Sequence, residues 1–169
     1  MKPRLFLALL SFCLALPLHA QENNTDAQEN TARLYDPSAD AALELRAAMA
    51  QSAATGRHIL LQIGGNWCSW CHKLDRLFTT DARIDSLLQA DYIPLRINYS
   101  EENKNERILG RLEGPQRFGF PVLVILDSSG RLLHTQDTGQ LEKDGAHDPE
   151  QVYRMLYLWR PDALFETLE

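Results

Sequence analysis

The residues best equipped for chemistry are two cysteines in the stretch Gly64-Gly65-Asn66-Trp67-Cys68-Ser69-Trp70-Cys71-His72. Cys-x-x-Cys-His is the attachment signature of a c-type haem, and Trp-Cys-x-x-Cys is a redox dithiol motif. A haem needs a further axial ligand or an open site, and a mostly helical wrap. Beyond the initiator, only Met49 and Met155 could supply a methionine ligand. Two thiolates and a histidine also suit zinc, which wants a second close pair of ligands. His58, His134 and His147 are scattered along the chain. The expectation is therefore no metal and no cofactor.

The elements around the motif favour the dithiol. His58-Ile59-Leu60-Leu61-Gln62-Ile63 reads as a short buried strand, ended by Gly64 and Gly65. Cys71 to Phe78 reads as helix, so Cys68 falls at a strand-to-helix turn. A helix N-terminus presents free N–H groups and a partial positive charge. That field favours a thiolate on Cys68 and lowers its pKa. Cys71, one turn further in, can attack a mixed disulfide formed on Cys68.

Upstream, Asp36-Pro37-Ser38 offers a helix start, and Ala41 to Ala54 is rich in strong helix formers, with Leu45, Met49 and Ala53 on one face. Downstream, the expected elements are a short helix over Ala82 to Ala90, a strand over Tyr92 to Tyr99 and a charged helix over Glu101 to Leu112. Pro121 to Leu126 is the most strand-like run, turning at Asp127-Ser128-Ser129-Gly130 into a return strand from Arg131 to Gln136. Asp148-Pro149-Glu150-Gln151 starts a last helix whose apolar stripe is Val152, Met155, Leu156 and Trp159. Strands alternating with helices, plus a hairpin, describe an α/β protein with a central mixed sheet flanked by helices on both faces.

The chain has 169 residues, enough for one ordinary domain, and a formal charge of -6 that argues against general affinity for nucleic acid or anionic membrane. Residues 1–20 follow the plan of a secretory signal peptide: Lys2 and Arg4, an apolar run from Leu5 to Leu16, and Ala20 before a polar stretch. An uncleaved anchor and a lipidated Cys13 are alternatives, the second opposed by the bulk of Phe12. Cleavage removes Cys13 and leaves Cys68 and Cys71 as the only cysteines, in a compartment where disulfides persist. Residues 21–34, QENNTDAQENTARL, are too polar to bury much surface and read as a disordered tether. The domain then runs over residues 35–169.

Here the chain resembles the thioredoxin superfamily, and more narrowly the exported bacterial thioredoxin-like proteins related to the C-terminal domain of the DsbD reductase. The resemblance rests on Gly56-Arg57-His58-Ile59-Leu60-Leu61, Trp67-Cys68-Ser69-Trp70-Cys71, Phe118-Gly119-Phe120-Pro121-Val122-Leu123-Val124 and the turn Asp127-Ser128-Ser129-Gly130-Arg131. It implies a thioredoxin fold with Cys68 and Cys71 as catalytic residues. It also implies a cis Pro121 facing the dithiol, with the Phe120 backbone pairing with an extended substrate. From local sequence alone, Pro121 would be an ordinary trans proline at the start of a strand.

Two departures stand out. Gln62 replaces the family's buried aspartate, so the proton of Cys71 must pass to water, His72 or another group. Ser69-Trp70 replaces the dipeptides that tune the redox potential elsewhere in the superfamily. His72 is read as a helix-surface residue or a tuner of thiolate pKa. Trp67 is read as packing, a flat shield and a substrate contact, and Trp70 as an exposed substrate contact. His134 and His147 read as solvated loop or strand-edge residues.

The resulting expectation is a periplasmic or secreted, monomeric thiol–disulfide oxidoreductase, acting on protein disulfides or thiols with the reducing direction favoured. By resemblance, a membrane reductase of the DsbD type would supply electrons. The expected chain binds no nucleic acid and has no stable membrane insertion after signal cleavage. A chaperone-like module that binds extended chains, and a haem electron-transfer protein, are the alternatives of other classes.

Overall fold

The computed structural model describes residues 33–164. The expected signal peptide over residues 1–20, Cys13 and the expected tether up to residue 32 lie outside the described residues. The elements in chain order are α1 (Ala41–Thr55), β1 (His58–Gly64), α2 (Ser69–Thr80), α3 (Ala82–Asp91), β2 (Tyr92–Asn98) and α4 (Glu106–Arg111). There follow β3 (Val122–Leu126), β4 (Leu132–Asp137), the two-residue strands β5 (Glu142–Lys143) and β6 (Ala146–His147), and α5 (Pro149–Leu158). The main sheet has the order β2-β1-β3-β4. β1 pairs parallel with β2 and antiparallel with β3, and β3 pairs antiparallel with β4. The expected mixed sheet with helices on both faces is what forms.

Side-chain alternation explains the layers. On β1 and β3, Ile59, Leu61, Ile63, Val122, Val124 and Leu126 pack with Ala41 and Ala48 of α1 and Ile108 and Leu109 of α4. The intervening Leu60, Leu123 and Ile125 pack with Leu74 and Phe78 of α2, Ile84 and Leu88 of α3, and Val152, Met155 and Leu156 of α5. Successive strand residues point to opposite faces, so a central strand covered on both sides must be apolar almost throughout. Every residue of β1 is buried. His58, at its start, and Gln62 are the polar exceptions, and Gln62 lies on the α2 face.

Several local expectations are corrected. Asp40, not Asp36, caps α1, accepting from the amides of Ala42 and Leu43 at 2.9 and 3.0 Å. Asp36 instead closes a turn of its own on Ser38. The buried face of α1 runs through Ala41, Ala48 and Ser52, with Leu45 and Met49 packed beside it, while Ala53 is exposed. Burial of Ser52 is offset by its hydroxyl donating to the Arg57 carbonyl.

The charged segment is helical only over Glu106–Arg111. Its first half is held as a loop by asparagines. Asn98 Nδ2 donates to the Asn103 carbonyl (2.8 Å), Asn105 Nδ2 to the Asn98 carbonyl (2.8 Å), and Asn103 Oδ1 accepts from the Asn105 amide (3.1 Å). Asn105 itself adopts the left-handed conformation. These side-chain bonds compete with helical backbone bonding.

Leu74 joins the dithiol helix to the sheet and is wholly buried. Leu74→Ala is expected to cost about 2–5 kcal/mol through lost transfer energy and a residual cavity. Urea unfolding of the oxidised protein, at unchanged m-value, measures it.

Candidate active site

The site forms where β1 runs out. Gly65 lets the chain fold back: a Cβ there would collide with the Trp67 indole and stand 2.8 Å from the Tyr99 carbonyl oxygen. Cys68 is the N-cap of α2, with extended backbone, and its Sγ accepts from the Cys71 amide at 3.2 Å. Cys68 and Cys71 are joined by a disulfide across a Cα–Cα distance of 5.3 Å. Cys68 is 5% exposed and Cys71 is 0% exposed, so an incoming group can reach only Cys68.

Gln62 is buried behind the pair. Its Nε2 donates to the Cys71 carbonyl (3.1 Å) and to Tyr35 Oη (2.9 Å). His72 is half-buried, with Nε2 3.0 Å from the Asn66 carbonyl oxygen. A carbonyl can only accept, so that nitrogen carries the hydrogen.

The Phe120–Pro121 peptide is cis, and Pro121 is buried. The Pro121 carbonyl is held by the hydroxyl of the buried Thr138. Phe120 packs edge-on against Trp67, with centroids 5.5 Å apart, and obliquely on Tyr99 at 4.7 Å. Trp67 Nε1 donates to the Tyr99 carbonyl at 2.8 Å, yet the side chain is 60% exposed. An open groove of about 520 Å³ continues from it past Tyr99, Ser100, Glu101, Glu102 and Lys104.

Trp67 packs on Phe120 as expected, but Trp70 is not the exposed residue expected of it. Trp70 is half-buried and packs in the cluster that holds the dithiol. The β5–β6 hairpin covers it. The His147 ring stands edge-on to it at 5.2 Å, and Lys73 Nζ lies 4.0 Å from its ring centroid while donating to the Gly145 carbonyl. His147 is correspondingly buried rather than solvated, with Nε2 3.4 Å from the Trp70 carbonyl oxygen. Burial lowers its pKa, partly countered by the Trp70 carbonyl and Glu142. His134 lies on edge strand β4, half-buried and stacked on Trp159 at 4.4 Å. Among the described residues, no cluster of three or more His, Cys, Asp or Glu side chains could hold a metal.

Sequence reasoning missed Tyr35. It is 1% exposed and packs against Cys68 and Cys71, with Leu34, Trp70 and Phe120 around them. Asn66 clamps its backbone: the Tyr35 amide donates to Asn66 Oδ1 (2.9 Å) and Asn66 Nδ2 to the Tyr35 carbonyl (2.8 Å). The available signal was one aromatic residue at the end of a long polar run.

With this geometry established, a Thioredoxin-like family model matches residues 40–128, and the chain belongs to that family. It is related to the thiol:disulfide interchange protein DsbD. The Ralstonia nicotianae protein is 32% identical over 87 residues, and DsbD 1 of Pseudomonas aeruginosa is 31% identical over 87 residues. Each match covers 52% of this chain but 14% of the relative. The crystal structure of a disulphide isomerase from Xylella fastidiosa Temecula1 aligns with a TM-score of 0.63 at 22% identity. That alignment covers 73% of this chain and 94% of the other, and supports the fold.

The depressed pKa of His147 gives a pH signature. The unfolded chain takes up a proton near pH 6.5, before the folded one does, so stability falls as pH drops through that value. Thermal midpoints measured from pH 7.5 down to pH 5 are expected to fall further for the native chain than for His147→Gln.

Proposed function

We propose that the chain is a thiol–disulfide oxidoreductase for exported proteins, working in the reducing direction. The carrying observation is the Cys68–Cys71 disulfide at the first turn of α2, with Cys68 5% exposed and Cys71 fully enclosed. Opening that disulfide leaves Cys68 Sγ at the positive end of a 12-residue helix, where a thiolate is favoured. Relationship to DsbD supports the same reading.

Cys68 thiolate attacks one sulfur of a client disulfide. The client S–S bond breaks, a Cys68–client mixed disulfide forms, and the other client sulfur leaves as thiolate. Cys71, deprotonated, attacks Cys68 Sγ and expels the second client thiolate. Two electrons pass to the client, and Cys68–Cys71 is left oxidised. Attack by Cys71 is intramolecular, which makes the mixed disulfide short-lived.

The client would lie along Trp67 and the Phe120–Pro121 segment, an extended chain pairing with the Phe120 backbone as the family resemblance implies. The exposed face of Trp67 is the contact surface, rather than the covered Trp70. Gln62 and His72 act behind the sulfurs. The returning electrons would come from a membrane reductase of the DsbD type, since a bacterial periplasm is kept oxidising. The signal sequence read over residues 1–20 is the basis for placing the chain there. No described helix is long and apolar enough to cross a membrane.

Equilibration with a glutathione series, read by thiol alkylation, tests the direction. A reduction potential near about -270 mV is expected, and one near about -120 mV makes the chain an oxidant instead. Cys68→Ser is expected to abolish disulfide reduction. Cys71→Ser is expected to retain the first attack and accumulate mixed disulfides, seen as reducible adducts on gels. Activity that survives Cys68→Ser would instead favour a chaperone-like module.

A further inference from the structure

Exchange at this site leaves one proton to be managed. Cys71 must be a thiolate to attack Cys68, yet it is wholly buried, and burial disfavours the charged form. Gln62, on the strand beneath it, cannot take a proton; its amide is already committed to Tyr35 Oη and the Cys71 carbonyl. The Nε2–H of His72 is directed at the Asn66 carbonyl.

The Tyr35 hydroxyl is placed differently. A methyl group built on Gly64 would collide with Cys71 Sγ and stand 2.9 Å from Tyr35 Oη, so sulfur and hydroxyl occupy the same small space above that glycine. Toward Gln62 the hydroxyl is an acceptor, because an amide N–H₂ can only donate. Its own hydrogen is then free to seek another acceptor, as a buried hydroxyl must. Burial raises the pKa of the phenol, so it stays protonated and acts as a donor, not a base. The charged groups nearest this pocket are mutually committed. Asp75 and Arg96 pair with each other and act on Tyr35 in opposite directions. Lys73 is bound to the Gly145 carbonyl. Beyond Trp70, His147 lies against that residue's carbonyl.

We infer that Tyr35 is a positioning residue for the resolving step: in the reduced protein its hydroxyl, oriented by Gln62, donates a hydrogen bond to Cys71 Sγ and stabilises the attacking thiolate. The inference rests on the exchange reading above. The proton of Cys71 goes to the client thiolate released in the first attack, or to water. Tyr35 keeps its own proton, and no electron passes through it. The Asn66 clamp holds the segment bearing Tyr35 against the loop bearing Cys68, which fixes the hydroxyl in place.

The test compares full-length Cys68→Ser protein with and without Tyr35→Phe, reading Cys71 thiolate by its ultraviolet absorbance against pH. Loss of a hydrogen bond to a charged sulfur is expected to cut the thiolate fraction about tenfold at a given pH below the pKa. Tyr35→Phe alone is expected to prolong the mixed disulfide by a similar factor. A Cys71 titration unmoved by Tyr35→Phe, in protein whose circular dichroism is native, overturns the inference. If the phenylalanine variant does not fold, the unsubstituted reduced protein is used. A Tyr35 Cζ resonance that shifts as Cys71 titrates supports the bond, and one that stays fixed rules it out. Failure of the native dithiol to equilibrate with glutathione would instead sink the exchange reading, so the two failures are distinguishable.

Discussion

A sulfur and a phenol must fit into the space above one strand residue without a side chain. That constraint organises the site. Gly64 ends β1 with its hydrogen facing Cys71 Sγ and Tyr35 Oη, and any larger residue would displace one of them. The position is precise because β1 is the inner strand between β2 and β3, with apolar layers on both faces. Close-packed interiors do not give way by fractions of an ångström. The cysteines thus inherit their geometry from the stiffest part of the sheet, though they lie on a turn and a helix start.

The surroundings of the dithiol are unequal on its two sides. Toward Trp67, Phe120 and Tyr99 the surface is aromatic and open, with a groove leading to Glu101 and Lys104. Toward Trp70 it is closed by His147, Lys73 and the β5–β6 hairpin. A partner can therefore approach from one direction. The indole of Trp67 is held by its N–H on the Tyr99 carbonyl while its ring stays in solvent. A fixed, exposed aromatic loses little entropy when it is covered, which suits a binding surface.

The parts of this arrangement legible in the sequence are those that depend on local pattern. The apolar run of β1, the motif at its end and the helix after it were readable because strand periodicity, glycine breaks and cysteine spacing act over a few residues. The apolar run of β3 and the Asp127 turn were readable for the same reason. What escaped depends on residues far apart in sequence. Tyr35 reaches Gln62 across 27 positions, and His147 reaches Trp70 across 77. Nothing near either residue distinguishes it from a solvated neighbour. The segment over residues 101–105 failed for another reason. Its charged residues favour helix, but Asn98, Asn103 and Asn105 bond to one another's backbone, and composition does not show that competition.

The exchange of a carboxylate for Gln62 acquires its sense from the same network. A buried carboxylate is costly unless fully paired, and its charge changes with pH. An amide facing a phenol and a backbone carbonyl is neutral at every pH the fold meets, and both hydrogens of Gln62 Nε2 are used. Fully satisfied polar networks stiffen a core, whereas half-satisfied ones weaken it. Here the network ties three parts of the chain together: the segment before α1 through Tyr35, the central strand through Gln62, and the dithiol helix through the Cys71 carbonyl. A change at Cys71 is thereby felt by the phenol and the strand, with no buried charge to be created or removed behind it.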